Sequence, residues 1–271
     1  MTTGAAPDLA AVKARQQATW ASGDFAEIAT LIVPVAELLA DAADLRAGSS
    51  VLDVATGSGN AAIAAARLGT RVTGIDYVPS LLERARERAA AERVTIDFRD
   101  GDAEKIPFPD ASFDATLSVF GSMFAPDQPR AAAELARVTR PGGTIGLASW
   151  TPEGFIGQMF KIVGKHVPPP PGVDSPLLWG TEDRLAELFG PDVEWTHERR
   201  TFTFRFVSAQ AFVDTFGEYY GPTVKALEAA GANRDALARD LHDLAAEWNR
   251  LEQPGPVAVP AEYLESVGTR R

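Results

Sequence analysis

The chain has 271 residues, of which 45% are apolar, a net charge of −11 and no cysteine. That length suits one domain with an insertion, and the apolar share is enough for a full core. The acidic balance argues against an electrostatic footprint for nucleic acid or anionic membrane, and zero cysteines exclude disulfides and thiolate metal sites. No apolar run reaches the roughly 18 residues that span a bilayer, so a soluble cytoplasmic protein is expected; whether it is a monomer or a homodimer the sequence leaves open.

Residues 1–7 are small and polar and are expected to fray. From 8 to 44 the pattern is helical, with Gly23-Asp24 reading as a stop followed by an N-cap. Phe25, Ile28, Leu31, Ile32 and Val35 recur at helical spacing, and Pro34 should break or kink that helix. A core over 45–150 follows, with strands near 51–55, 71–76, 94–98, 114–120 and 144–149. Helices near 59–68, 79–91 and 128–139 lie between them, an alternation that predicts a parallel sheet with helices on both faces. After Trp150 an apolar helical stretch (Phe155, Met159, Phe160, Ile162, Val163) runs into the prolines 168–171. Edge strands are expected at 191–206 and 257–270, separated by a helical insert of roughly 50 residues, far longer than a hairpin loop. Segments 151–180 and 207–253 are expected to form one cap over the substrate.

The most telling stretch is Val51-Leu52-Asp53-Val54-Ala55-Thr56-Gly57-Ser58-Gly59-Asn60, an apolar strand running into a glycine turn that opens a helix. The glycines let backbone approach a ligand, and the helix start offers free N–H groups. Taken alone the turn fits a dinucleotide fingerprint, but Asp53 would repel a pyrophosphate and attract a cation. A nucleoside carrying positive charge is the favoured ligand. Asp76 ends the second strand 23 residues later, placed to accept bonds from ribose hydroxyls. Asp102 in the next loop can accept from an exocyclic amine, with Ile106 and Phe108 as apolar walls. Tyr77 is either a packed aromatic or a wall of the base slot, and Trp20 either core or a lid.

With these residues in place, the chain resembles the class I S-adenosylmethionine-dependent methyltransferases, most closely the ubiquinone/menaquinone-type branch. The match runs through Val51–Asn60, Val72–Asp76, Asp100–Phe108, Phe113–Phe120 and Leu135–Gly143, in that order, within residues 15 to 150. Ala55 stands where many relatives have a first glycine. The resemblance implies a Rossmann-like, doubly wound α/β fold with a mostly parallel seven-stranded sheet and an antiparallel last strand. It implies S-adenosylmethionine as cofactor, held by Trp20, Asp53, Ala55, Thr56, Gly57, Gly59, Asp76, Tyr77, Asp102, Ala103 and Phe120.

Ser118-Val119-Phe120-Gly121 offers no carboxylate cluster for a catechol-type metal, so none is expected. The same stretch lacks the Asn/Asp-Pro-Pro-aromatic motif of enzymes that methylate planar nitrogens, which together with the charge points to a small-molecule acceptor. His166 and Tyr219 are the candidate acceptor-side residues, the first as general base. The alternatives are a nicotinamide- or flavin-dependent oxidoreductase, which Asp53 disfavours, and a non-catalytic S-adenosylmethionine-binding protein.

Overall fold

Along β1 (Ser50–Val54) successive side chains serve opposite faces of a sheet, Val51 joining one apolar cluster and Leu52 another. The computed structural model describes residues 8–252 and 254–271, so the expected fraying of 1–7 lies outside the described residues. Three helices precede β1: α1 (Leu9–Trp20), α2 (Phe25–Leu31) and α3 (Val33–Ala42). Asp24 caps α2 by accepting from the Ala26 N–H at 3.2 Å. The chain breaks at Ile32, so Pro34 falls in the first turn of α3, where its missing N–H costs nothing, instead of kinking one longer helix.

The core then alternates: α4 (Asn60–Arg67), β2 (Arg71–Asp76), α5 (Pro79–Ala91), β3 (Ile96–Asp100), β4 (Phe113–Val119), α6 (Gln128–Val138) and β5 (Thr139–Trp150). After α7 (Phe155–His166) and α8 (Glu182–Phe189) comes β6 (Val193–Phe206). α9 (Ala209–Tyr219), α10 (Gly221–Ala229) and α11 (Arg234–Glu247) lead to β7 (Val257–Arg270). The seven strands form one sheet in the order β3-β2-β1-β4-β5-β7-β6, with β7 antiparallel to both neighbours and β1 to β5 parallel. This is the doubly wound topology the sequence predicts.

β3 starts two residues later than the predicted 94, for a local reason. Arg93 turns left-handed (φ 58°) and the Val94 N–H bonds back to the Ala89 carbonyl at 3.0 Å, so Val94 closes α5 before the strand can begin. β5 is longer than predicted because Thr139 already pairs with Phe113, with a register shift before Thr144 meets Ala115.

Alanines of α3 and α4 and the apolar stripe of α5 (Leu82, Ala85, Ala89) cover one face; α6 and α8 cover the other with Leu135, Val138 and Leu185. α7 packs with α9, α10 and α11 in a separate helical layer. Residues 176–180 leave that layer and pack on β5, where Trp179 is fully buried. Chain order reverses between β1 and β4, and the crevice at the carboxyl ends of those strands is where such sheets hold ligands.

Candidate active site

The crevice is a solvent-open cavity with about 920 Å³ of empty space, open solvent included. Trp20, Asp53, Ala55, Thr56, Gly57, Asp76, Tyr77, Asp102, Ala103 and Phe120 all line it. Gly59 does not. A Cβ there would meet Phe98 at 3.2 Å and Ala85 at 3.3 Å, so this glycine lets α4 pack close to α5 instead of facing a ligand.

Asp53 is 1% exposed, and its Oδ2 accepts from the Thr56 hydroxyl at 2.5 Å and the Ala62 N–H at 2.9 Å. Asp76 takes the Gly57 N–H on Oδ2 at 2.8 Å and the Val78 N–H on Oδ1 at 2.9 Å. The two acids therefore brace the turn, and the amides of Gly57 and Ala62 are satisfied internally, not free as the sequence suggested. Burial raises the Asp53 carboxyl to about 7, against the bonds from Thr56 and Ala62 that hold it down, and Asp76 adds repulsion. Burial likewise raises Asp76 to about 6, opposed by bonds from Val78, Gly57 and Tyr77 amides, with Asp100 adding to the rise. No lysine or arginine pairs with either among the described residues, and Asp53 Oδ1 has no protein hydrogen bond. Two buried acids without a cation suit a cationic ligand. The buried Gln16 Oε1, on a residue lining the cavity, also lacks a partner among the described residues. These features fit S-adenosylmethionine.

A second, smaller compartment of about 340 Å³ adjoins the first, and Trp20, Phe25, Ile32, Phe120 and Phe124 line both. Its other walls are Ile28, Trp150, Ile156, Phe204, Phe216 and Tyr220. Phe120 stacks flat on Trp150 with centroids 3.8 Å apart, and Trp20 meets Phe25, Phe124 and Tyr220 edge-on. Tyr220 is 6% exposed, its hydroxyl has no protein partner among the described residues, and burial pushes the phenol above its ordinary value.

The two acceptor-side candidates fall elsewhere. His166 ends α7, and its Nε2 lies 2.7 Å from Asp240 Oδ2 on α11, an ion-pair geometry that ties two helices together outside both compartments. Tyr219 lines neither compartment. One residue further on, at the break between α9 and α10, the chain turns inward and Tyr220 takes the buried position. Phe155, Met159 and Phe212, from the segments expected to cap the substrate, line neither compartment; each is at most 1% exposed, and the Phe155 and Phe212 rings meet at 5.3 Å inside the helical layer. Sequence reasoning did not assign Lys13, Phe25, Glu104 or Phe124 to the cavity. Lys13 lies seven residues before Trp20, on the same helix face, which was the available signal.

Residues 52–147 match the family model of a methyltransferase domain. The chain is similar to an uncharacterised protein of Mycobacterium tuberculosis, 41% identical over 243 residues that cover 87% of this chain and 88% of the relative. It is also similar to the demethylmenaquinone methyltransferase of Thermus thermophilus, 34% identical over 161 residues, covering 54% of this chain and 73% of that enzyme. Among solved structures, the YcgJ protein of Bacillus subtilis superposes with a TM-score of 0.61 at 20% identity, over 87% of this chain and 97% of that one, a likeness of fold.

Proposed function

Because the chain belongs to the class I S-adenosylmethionine-dependent methyltransferases, in the ubiquinone/menaquinone-type branch, its cofactor is S-adenosylmethionine, and we propose that it methylates a small, largely apolar or aromatic acceptor, in the cytoplasm and without a metal. The observation that carries the acceptor half is the second compartment. Its eleven lining residues are all apolar or aromatic, and the only polar side-chain groups among them are the Tyr220 hydroxyl and two indole N–H groups. Pockets of that kind bind by apolar contact with few polar anchors.

In this proposal Asp76 receives the ribose hydroxyls, while Asp102, Ala103 and Tyr77 surround the base. Asp53, Gly57 and Trp20 face the methionine end. When bound, S-adenosylmethionine supplies an activated methyl for in-line transfer. The protein's part is to hold the acceptor on that line and keep water out. Trp20, Phe25, Phe120 and Phe124, shared by the two compartments, form an apolar neck between them. Among the described residues no carboxylate, histidine or lysine lines the acceptor compartment, which favours an accepting atom that is nucleophilic without a protein base. Tyr220, kept protonated by burial, is the donor that orients it. Among the described residues no group of three His, Cys, Asp or Glu is arranged to hold a metal.

Methyl-labelled S-adenosylmethionine, incubated with the protein and a cell extract, tests this. After separation into apolar-solvent, aqueous small-molecule and macromolecular fractions, the label is expected in the first and is expected to persist with chelator present. Label only in nucleic acid, protein or the aqueous fraction would contradict the proposal.

A further inference from the structure

α1 is held on the protein in an uneven way. Its only buried residue is Val12, so apolar burial contributes little along its length. At its carboxyl end Trp20 packs among Phe25, Phe124 and Tyr220. Apart from Val12, its amino-terminal half is held by Lys13, and Gln17 adds a polar link in the other half. Lys13 Nζ lies 2.6 Å from Asp102 Oδ2 and also contacts Glu104 Oε2, while the Gln17 side-chain amide donates to the Tyr77 carbonyl. Lys13, Gln16 and Trp20 line the cavity, one helix face laid along it.

The acids that Lys13 joins are otherwise fixed by backbone. Asp102 Oδ1 accepts from the Glu104 N–H at 2.9 Å, and Glu104 Oε1 accepts from the Asp127 N–H at 2.8 Å. Two carboxylates thus face one shared cation, and without it they would repel across the loop that follows β3. Burial lowers the Lys13 pKa, but its bonds and proximity to Asp102 and Glu104 more than offset that, so the ammonium stays charged.

We infer that Lys13 is a positioning residue for cofactor binding: its ammonium, shared by Asp102 and Glu104, latches the amino-terminal half of α1 across the base end of the cavity and holds the Asp102 loop in its receiving shape. This rests on the placement of the base beside Asp102 given above. The latch is electrostatic and partly exposed, so it weakens with salt, whereas the Trp20 anchor does not.

The test pairs hydrogen exchange of the cofactor-free protein with calorimetric titration of S-adenosylhomocysteine, each at about 0.02 M and about 0.5 M ionic strength. Wild type is compared with Lys13→Gln, Lys13→Arg and the surface control Lys225→Gln. In Lys13→Gln, exchange over the amino-terminal half of α1 should rise while the segment around Trp20 stays protected. Affinity at low salt should fall roughly two- to fivefold, the scale of partly exposed ion pairs. Wild type should approach that variant at high salt, Lys13→Arg should recover most of the loss, and Lys225→Gln should match wild type. The exchange arm contains no ligand, so it judges the latch whatever becomes of the base placement. Unchanged exchange in Lys13→Gln overturns the latch; raised exchange with unchanged affinity overturns its role at the base.

Discussion

Ala55 and Phe120 both turn left-handed, with φ of 55° and 53°, at the carboxyl ends of the neighbouring strands β1 and β4. The loops they begin touch: a Cβ on Gly121 would lie 2.6 Å from the Ala55 carbonyl oxygen. Such conformations disfavour side chains, and the strain sits on two residues that line the cavity.

Ala55→Gly should therefore stabilise the protein. A left-handed alanine costs ~1–2 kcal/mol, and glycine's extra freedom when unfolded takes back ~0.4–1, leaving a gain near ~0.5–1 kcal/mol. Thermal melting should show a rise of a few degrees at most, ~2–4 °C per kcal/mol in a chain of this size. A lower melting temperature would mean that the Ala55 methyl packs more than its backbone strains.

Buried Asp53 and Asp76, raised to about 7 and about 6, link cofactor binding to pH. Unfolded carboxyls ionise near ~4, so the folded protein holds extra protons between there and neutrality. The stability that these groups contribute is complete below ~4 and is lost as pH rises through 6 to 7. A cation beside the acids reverses the balance, so S-adenosylmethionine should bind more tightly at pH 7.5 than at 5.5 and release protons near pH 6.5, within the range of those two values. Calorimetry in two buffers of different ionisation enthalpy reads the release directly. No release, or release unaltered by Asp53→Asn, would separate the acids from the ligand.

Asp76→Ala should weaken S-adenosylhomocysteine binding by ~1.5–3 kcal/mol, the scale of hydrogen bonds to a charged group. Unchanged affinity would place the ribose elsewhere.

His166→Gln should leave turnover unaltered and cost ~0–1 kcal/mol of stability, since its partner Asp240 makes an exposed pair. Tyr220→Phe should lower turnover roughly two- to tenfold through one lost hydrogen bond of ~0.5–1.5 kcal/mol, with S-adenosylhomocysteine affinity kept within about threefold. Steady-state rates with the identified acceptor separate the two residues; the opposite pattern would restore His166 as base.

The alternation of strands and helices, the glycine turn and its two acids were legible because they are local patterns: period-two strands, a turn, a helix start. The same locality hid the rest. Val94 reads as strand until its amide is seen closing α5. Tyr219 and Tyr220 are adjacent and chemically alike, and only the break between α9 and α10 decides which one turns inward. Lys13 and Asp102 meet across 89 residues, and no sequence period reports such a contact. The neck of Phe25, Phe120 and Phe124 is likewise assembled from two distant segments. A helical aromatic is ordinarily core, so nothing in its spacing marks it as a site wall.

A crystal structure with S-adenosylhomocysteine tests most directly whether the two compartments are cofactor site and acceptor site. The ribose should sit on Asp76, the base beside Asp102 and Ala103, and the thioether sulfur at the neck of Phe25, Phe120 and Phe124, facing the chamber closed by Phe216 and Tyr220. A sulfur directed away from that chamber, or a ligand lying with its base toward Trp20, would contradict the account.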